Sequence, residues 1–175
     1  RPLVDEAFFV TLTLALSPWE RGLDEPMNIK TILQSQYRAA LAMLKQAVVK
    51  CPPEAWDDPR DKDRFWFVAY HTLYYAHRYL KARDQGYVRW EARRYDQPGL
   101  PFTKEEILER LAMVEDDVMK QVRIMDLGAE SMSGLANKLE LQLYNLRHIQ
   151  HHVGELYQRL SACDVKLEWA SQRHK

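Results

Sequence analysis

Apolar residues recur every three or four positions along most of this chain, and this helical period limits the possible folds more than any other feature. The first such segment begins at Asn28 and carries one apolar stripe, formed by Leu33, Tyr37, Ala40, Leu41, Leu44 and Val48. Spacings of three and four place these residues on a single face of an α-helix. Residues 12–16 alternate as a strand would, but no second convincing strand is present to pair with them. The sequence therefore predicts an all-α fold.

Breaks in the apolar period predict where each helix begins and ends. Cys51-Pro52-Pro53 ends the first helix, because proline cannot continue a helix. Thr103 and Glu106 form a capping box that opens the third helix, and Ser131 or Ser133 is predicted to cap the fourth. The four predicted helices cover about residues 28–50, 64–83, 103–127 and 131–163.

The lengths of the connections predict how these helices are arranged. Four helices of about 20 residues each form a four-helix bundle. Residues 54–63 are predicted to be a loop, and only about six residues join the last two helices. Residues 84–102 form a connection of about 19 residues, long enough for a parallel crossover along the bundle. We therefore predict up-down-down-up topology with a crossover between the second and third helices. The alternative is a plain up-down-up-down bundle with a floppy loop.

Residues 1–26 differ in character from the rest of the chain. They contain an apolar run over residues 8–16, with Asp5 and Glu6 before it. These acidic residues give the wrong charge for the start of a signal peptide, and a segment docked on the bundle is a further alternative. We favour a poorly ordered N-terminal extension that precedes a domain of residues 27–175.

Charge and composition exclude several classes of partner. Lys and Arg together number 25, as do Asp and Glu, so no global basic field exists to hold nucleic acid. No run of about 18 apolar residues is present, which excludes a membrane span. Cys51 and Cys163 form no CxxC motif, and so few cysteines fit a reducing compartment. We therefore predict a cytoplasmic protein that binds neither nucleic acid nor membrane.

Histidine spacing points to a metal site. His148 and His152 stand four residues apart, one turn apart on the same helix face, whereas His151 faces further from the apolar sector. His71 on the second helix lies among aromatic residues and is the candidate third ligand. His77 is about 120° around that helix from His71 and cannot easily serve the same site. Neutral imidazoles that face a bundle interior bind divalent metals well. The alternative is an exposed HxxxH pair that binds nothing.

The histidine segments resemble those of the DinB/YfiT-like family. That family writes its last long helix as roughly N-H-x-x-x-H-R-G-Q-L, and residues 145–156 are similar to it, reading Asn-Leu-Arg-His-Ile-Gln-His-His-Val-Gly-Glu-Leu. Residues 67–75 (Phe-Val-Ala-Tyr-His-Thr-Leu-Tyr-Tyr) look like the family's first histidine segment. Val153 and Glu155 stand where the family has Arg and Gln. The resemblance covers nearly all of the chain from Met27.

The resemblance implies a function as well as a fold. It implies an up-down-down-up four-helix bundle and a divalent metal held by His71, His148 and His152. Members of the family are often dimers, so it also implies a homodimer. Zinc or nickel is the expected metal. Characterised relatives include metal-dependent thiol transferases and isomerases that use low-molecular-weight thiols. We therefore expect a metal-dependent enzyme of thiol-transferase or hydrolase type that acts on a small molecule. The alternative is a non-catalytic metal- or small-molecule-binding module in a stress response.

Other residues near the predicted site have open roles. Glu155, one turn beyond His152, is the candidate catalytic residue, as a base, a fourth ligand or a partner for an imidazole N–H. The alternative is a solvated ion pair with Arg159. The tyrosines at 74, 75 and 144 are candidates to line the mouth of the site as donors, with core packing as the favoured alternative. The arginines at 89, 93 and 94 are candidates to bind an anionic substrate or a partner, with a solvated surface loop as the favoured alternative. Aromatic residues on all sides of the second helix also predict a homodimer interface. The alternative is a monomer in which the connection 84–102 folds over this surface.

Overall fold

The structure is a computed structural model that describes residues 28–81, 101–131 and 134–170. Its regular elements in these ranges are five α-helices: α1 (Ile29–Lys50), α2 (Pro53–Trp56), α3 (Phe65–Leu80), α4 (Lys104–Ile124) and α5 (Lys138–Ser161). No strand occurs within the three described ranges, so the predicted all-α class is confirmed. The extension 1–26, the arginine cluster at 89–94 and Ser133 lie outside the described residues.

Local capping explains where two of the long helices begin. The Asn28 side chain accepts hydrogen bonds from the backbone N–H groups of the first turn of α1. At α4, the Thr103 hydroxyl accepts from the Glu106 N–H, and the Glu106 carboxylate accepts from the Thr103 N–H. The predicted capping box is therefore confirmed, and it satisfies two donors that the helix itself leaves without partners.

Two local predictions were wrong. The region predicted as a loop, 54–63, begins inside the short helix α2, which Pro53 starts and whose Trp56 is buried. The Trp56 indole N–H donates to the carbonyl oxygen of Phe102 at 2.8 Å, and this tertiary contact holds the turn. Helix α5 is capped by Asn137, not by Ser131 or Ser133, because the Asn137 side chain accepts from the Glu140 N–H at 2.9 Å.

Apolar faces of the four long helices meet in one core. Helix α1 packs against α4 and α5, and α3 packs against the same two helices. The stripe predicted on α1 is buried in full, as are Ile107, Leu111 and Val114 on α4 and Ile149 and Val153 on α5. Within the described ranges, every helix falls short of the length and hydropathy that a bilayer span requires.

A polar network crosses this core and joins three helices. Gln142 and Asn145 on α5 are fully buried. The Tyr37 hydroxyl donates to Gln142 Oε1 at 2.7 Å, and Gln142 Nε2 donates to the carbonyl oxygen of Tyr79 at 3.0 Å. Asn145 Nδ2 donates to the carbonyl oxygen of Ala76 at 3.0 Å. Tyr79 lies in the last turn of α3, where carbonyl groups have no partner within the helix, so Gln142 satisfies one of them.

The aromatic residues at the start of α3 contact the rest of the same chain. Phe65 is fully buried against Trp56. The Trp66 ring packs edge-on against Phe102, and its N–H donates to the Asp57 carboxylate at 2.7 Å. These contacts occupy part of the surface that the sequence analysis assigned to a partner subunit. The homodimer stays a prediction.

Candidate metal centre

Three histidines from two helices converge on one point. His71 lies in the middle of α3, and His148 and His152 lie one turn apart on α5, which packs against α3. The ring centroids are 5.3 Å apart for His71 and His148, 4.9 Å for His71 and His152, and 4.7 Å for His148 and His152. One nitrogen of each ring lies within 4.8 Å of the others. The structure therefore brings together the three residues proposed from the sequence.

The core residues of α5 set the direction of its two histidines. Ile149, Val153 and Leu156 are buried and fix which face of α5 meets the bundle. His148 and His152 border that face and are half-buried, as is His71. The centre therefore lies in the groove between α3 and α5, at the edge of the apolar core and within reach of solvent, and is not enclosed in the bundle interior.

Burial favours the neutral form of two of these imidazoles, those of His71 and His148. The pKa of His148 is lowered to about 4, mainly by burial and in addition by the nearby rings of His152, His71 and His151. Burial also lowers the pKa of His71, with a further contribution from His152. A metal ion binds imidazole only through a deprotonated nitrogen. A histidine with a low pKa is therefore ready to bind a metal ion at neutral pH.

One buried atom tests whether a metal fits this site. His148 Nδ1 is buried and has no hydrogen-bond partner among the described residues. Leaving such a nitrogen without a partner costs about 1–3 kcal/mol. A cation bound among the three rings is one way to give this nitrogen a partner. Three imidazoles are also a suitable donor set for a divalent transition metal. The residues present therefore fit a divalent metal ion.

Glu155 links His152 to the loop before α3. Its Oε2 lies 3.1 Å from His152 Nδ1, and Arg159 donates to its Oε1 at 2.6 Å. Arg159 also donates to the backbone carbonyl of Asp63 at 2.5 Å and to the Asp61 carboxylate at 3.3 Å. With Nδ1 engaged by Glu155, Nε2 is the His152 nitrogen left for a metal. Two of the alternatives for Glu155, imidazole partner and Arg159 ion pair, thus occur together.

The ionisation state of Glu155 follows from these contacts. Burial raises its pKa, but the hydrogen bonds with His152 and Arg159 outweigh burial and hold the pKa below its usual range. Glu155 is therefore ionised at neutral pH. A second group of donors, formed by His151, His152 and Glu155, also has ligand atoms within 4.8 Å of one another. It shares His152 with the first group, and its His151 is exposed.

His77 lies apart from the three-histidine cluster. It is buried on another side of α3, with its Nε2 2.8 Å from Asp117 Oδ2 on α4. The Lys81 ammonium lies 3.2 Å from the same carboxylate oxygen. Sequence spacing separated His77 from His71 but did not reveal Asp117, because helical periodicity carries no information about contacts between helices.

Tyrosine rings extend from the histidines along the groove. Tyr75 lies 4.7 Å from His71 and 5.5 Å from His148 between ring centroids. Tyr144 stacks on His148 at 6.5 Å. Tyr79 lies 6.5 Å from His148 and was missed in the sequence analysis, although its position eight residues after His71 is a signal for the same face. Tyr74, the third tyrosine proposed for the mouth, packs between Tyr70 and Tyr75.

Comparison of the chain with models of protein families, with curated proteins and with solved structures finds no match. The resemblance to the DinB/YfiT-like family thus depends on the histidine segments alone. It stays a prediction, and the metal centre is argued from its own geometry.

Proposed function

We propose that this chain is a DinB-like protein that binds one zinc or nickel ion through His71, His148 and His152 and acts with it on a small molecule. The reaction type we propose is thiol transfer or hydrolysis. The observation that carries the proposal is the approach of three ring nitrogens, from two helices, to within 4.8 Å of one another. Three neutral histidines would leave coordination positions free for a ligand, as in catalytic rather than structural zinc sites.

Contacts between helix ends support the bundle topology that is part of this proposal. The Lys30 ammonium, at the start of α1, donates to the carbonyl oxygen of Arg123 at the end of α4. Tyr37 and Gln142 pair the early parts of α1 and α5, and Gln142 reaches the last turn of α3 through Tyr79. This pattern agrees with an up-down-down-up bundle in which a crossover joins α3 and α4.

The chain's own residues would position and tune the metal ligands. When bound, a divalent metal supplies a Lewis acid that polarises a carbonyl oxygen or lowers the pKa of a thiol or water. The ionised Glu155 carboxylate accepts the Nδ1–H of His152, which fixes the tautomer and the direction of that ring. Arg159 holds Glu155 in place from the other side. Tyr75 contacts His71 and His148, and Tyr144 contacts His148, so both rings would lie beside a ligand that reaches the ion.

A second candidate function is a non-catalytic metal- or small-molecule-binding module. The state of Glu155 favours it, because both of its oxygens are engaged and its pKa is lowered. A carboxylate of this kind is a poor general base, since efficient proton transfer needs a pKa near the working pH. Glu155 therefore suits the orientation of His152 better than the catalytic role first considered for it.

Metal analysis combined with turnover tests the proposal. Protein purified without an affinity tag is expected to retain one zinc or nickel ion per chain. Turnover on a panel of thiol-transfer and ester substrates should stop with a chelator and return when the metal is restored. One bound metal without turnover on any substrate would favour the binding module. Protein that neither retains nor takes up a divalent metal would contradict the metal-dependent enzyme and would leave only the small-molecule form of the binding module.

Replacing Glu155 with glutamine is expected to weaken metal binding without removing it. Loss of a carboxylate partner from a ligating histidine typically costs about 10–100-fold in metal affinity, and we expect a loss in this range for Glu155→Gln. Competition titration against a chromophoric chelator measures it. Glu109→Gln makes the same chemical change at an exposed position on α4 and should bind as the wild type does. Wild-type affinity in Glu155→Gln would show that Glu155 does not support His152.

A further inference from the structure

Three tyrosines form a continuous aromatic surface beside the histidines, which we call the tyrosine rim: Tyr75, Tyr79 and Tyr144. Tyr75 and Tyr79 follow His71 at four and eight residues along α3, and Tyr144 precedes His148 by four residues along α5. Ring centroids are 5.7 Å apart for Tyr75 and Tyr79 and 5.6 Å apart for Tyr79 and Tyr144. These separations lie in the range of direct ring contact, so the rim extends the groove from the three histidines toward the end of α3.

Two arginines give the tyrosine rim a positive charge. The Arg78 guanidinium carbon lies 5.8 Å from the centroid of Tyr75, and that of Arg147 lies 5.4 Å from the centroid of Tyr144. Both arginines are exposed, and neither has a carboxylate partner within 4.0 Å among the described residues. At the opposite end of the histidine cluster, Arg159 is balanced by Glu155 and Asp61. Within the part of the chain that the structure describes, the positive charge without a carboxylate partner is therefore at the tyrosine end.

We propose that the tyrosine rim binds a small anion that carries an aromatic or other planar group, such as an aromatic carboxylate. The planar group would stack on the tyrosine rings, and its carboxylate would meet the Arg78 and Arg147 guanidinium groups, which can each present two parallel N–H donors. As a substrate class for the histidine centre, this inference rests on the proposed function. The binding itself uses residues that are not metal ligands.

The arrangement of charges argues against the opposite class, a cationic ligand. Tyrosine faces attract cations, and a rim of tyrosines alone would suit a quaternary ammonium group. Here, however, guanidinium groups already lie over Tyr75 and Tyr144. A second cation on the rim would be repelled by these two guanidinium groups, whereas an anion would be attracted by them.

Three ligands of the same shape and different charge test the proposal. Benzoate, benzamide and benzamidine are planar and nearly isosteric, with charges of −1, 0 and +1 at neutral pH. Their dissociation constants for the full chain can be measured by ligand-observed NMR titration, with and without Zn²⁺. We expect benzoate to bind most tightly and benzamidine most weakly, and cyclohexanecarboxylate to bind more weakly than benzoate because it is not planar. Benzamidine binding as tightly as benzoate, or no binding by any of the three ligands, would overturn the proposal.

Arginine variants locate the binding and separate it from the metal. Arg147→Met and Arg78→Met keep much of the side chain and remove its charge. Each should raise the dissociation constant of benzoate at least about fivefold and leave that of benzamide unchanged. Arg123→Met makes the same change at an exposed position at the end of α4 and should leave benzoate binding unchanged. An equal loss in Arg123→Met would overturn the assignment to the rim.

The failure of this inference and the failure of the proposed function give different results. Arg147→Met is expected to keep wild-type Zn²⁺ affinity, because Arg147 does not belong to either donor group of the centre. Selective benzoate binding by a chain that takes up no metal would support the rim and contradict the metal function. Metal uptake with no preference for benzoate would contradict the rim alone.

Discussion

His148→Ala protein is expected to lose Zn²⁺ and Ni²⁺ affinity by at least about 100-fold, more than is usual for the loss of an outer-shell partner. His71→Ala and His152→Ala should do the same, since each removes one of three nitrogens that lie within 4.8 Å of one another. With two ligands left, the ion is held by half of a typical four-coordinate set. Isothermal titration calorimetry at neutral pH, with circular dichroism to verify folding, measures the effect.

Two other histidines are the matched controls. His151→Ala should bind as the wild type does, because His151 is exposed and lies outside the three-histidine cluster. His77→Gln should also keep metal binding, because His77 is paired with Asp117 on another side of α3. The alternative donor group of His151, His152 and Glu155 makes the reverse prediction, with affinity lost in His151→Ala and kept in His71→Ala. That outcome would assign the ion to the second donor group and contradict the proposed site.

Gln142→Leu is expected to lower the free energy of unfolding by about 2–3 kcal/mol. Gln142 is fully buried, and its amide both accepts from the Tyr37 hydroxyl and donates to the carbonyl of Tyr79. Leucine fills a similar volume but removes the amide that pairs with both groups, and a buried polar group that loses its partner costs about 1–3 kcal/mol. The Tyr37 hydroxyl keeps only a longer contact, 3.4 Å, with the backbone carbonyl oxygen at position 142. Urea unfolding of the metal-free protein gives the value without a contribution from the ion.

Additional variants show whether the cost comes from the network. Tyr37→Phe removes the hydroxyl that donates to Gln142. The loss of unfolding free energy in the double variant should therefore be about 1 kcal/mol smaller than the sum of the losses in the two single variants. Gln150→Leu makes the same substitution at an exposed position on α5 and should change stability by no more than about 0.5 kcal/mol. Additive losses in the double variant would contradict a direct Tyr37–Gln142 interaction.

The sequence was sufficient for features that a single helix determines. The stripe on α1, the capping box of Thr103 and Glu106, and the shared face of His148 and His152 all follow from about 3.6 residues per turn and from local hydrogen bonds. The loops were harder to predict. Helix α2 depends on a hydrogen bond from Trp56 to Phe102, 46 residues away. A local sequence pattern does not predict a contact between residues so far apart.

Contacts between helices account for most of what the sequence analysis did not find. His71 was chosen by its aromatic neighbours and by a resemblance, and its distance to α5 became known only from the packed helices. Gln142 and Asn145 are polar residues that hydropathy assigns to a surface, yet both are buried. Gln142 is paired with groups on α1 and α3, and the Asn145 amide N–H donates to a carbonyl oxygen of α3. A sequence pattern records which residues share a face but not which groups of another helix meet that face.

The positions of the three histidines along the chain have a consequence for folding kinetics. His148 and His152 need only one formed turn of α5 to chelate an ion together, whereas His71 lies 77 residues before the first of them. An ion bound early by α5 would therefore favour the packing of α3 against α5. Such contacts between residues far apart in the sequence are the ones that slow folding most. Refolding in the presence of metal should then be faster than refolding without it, and the difference should vanish in a chain that lacks the early pair.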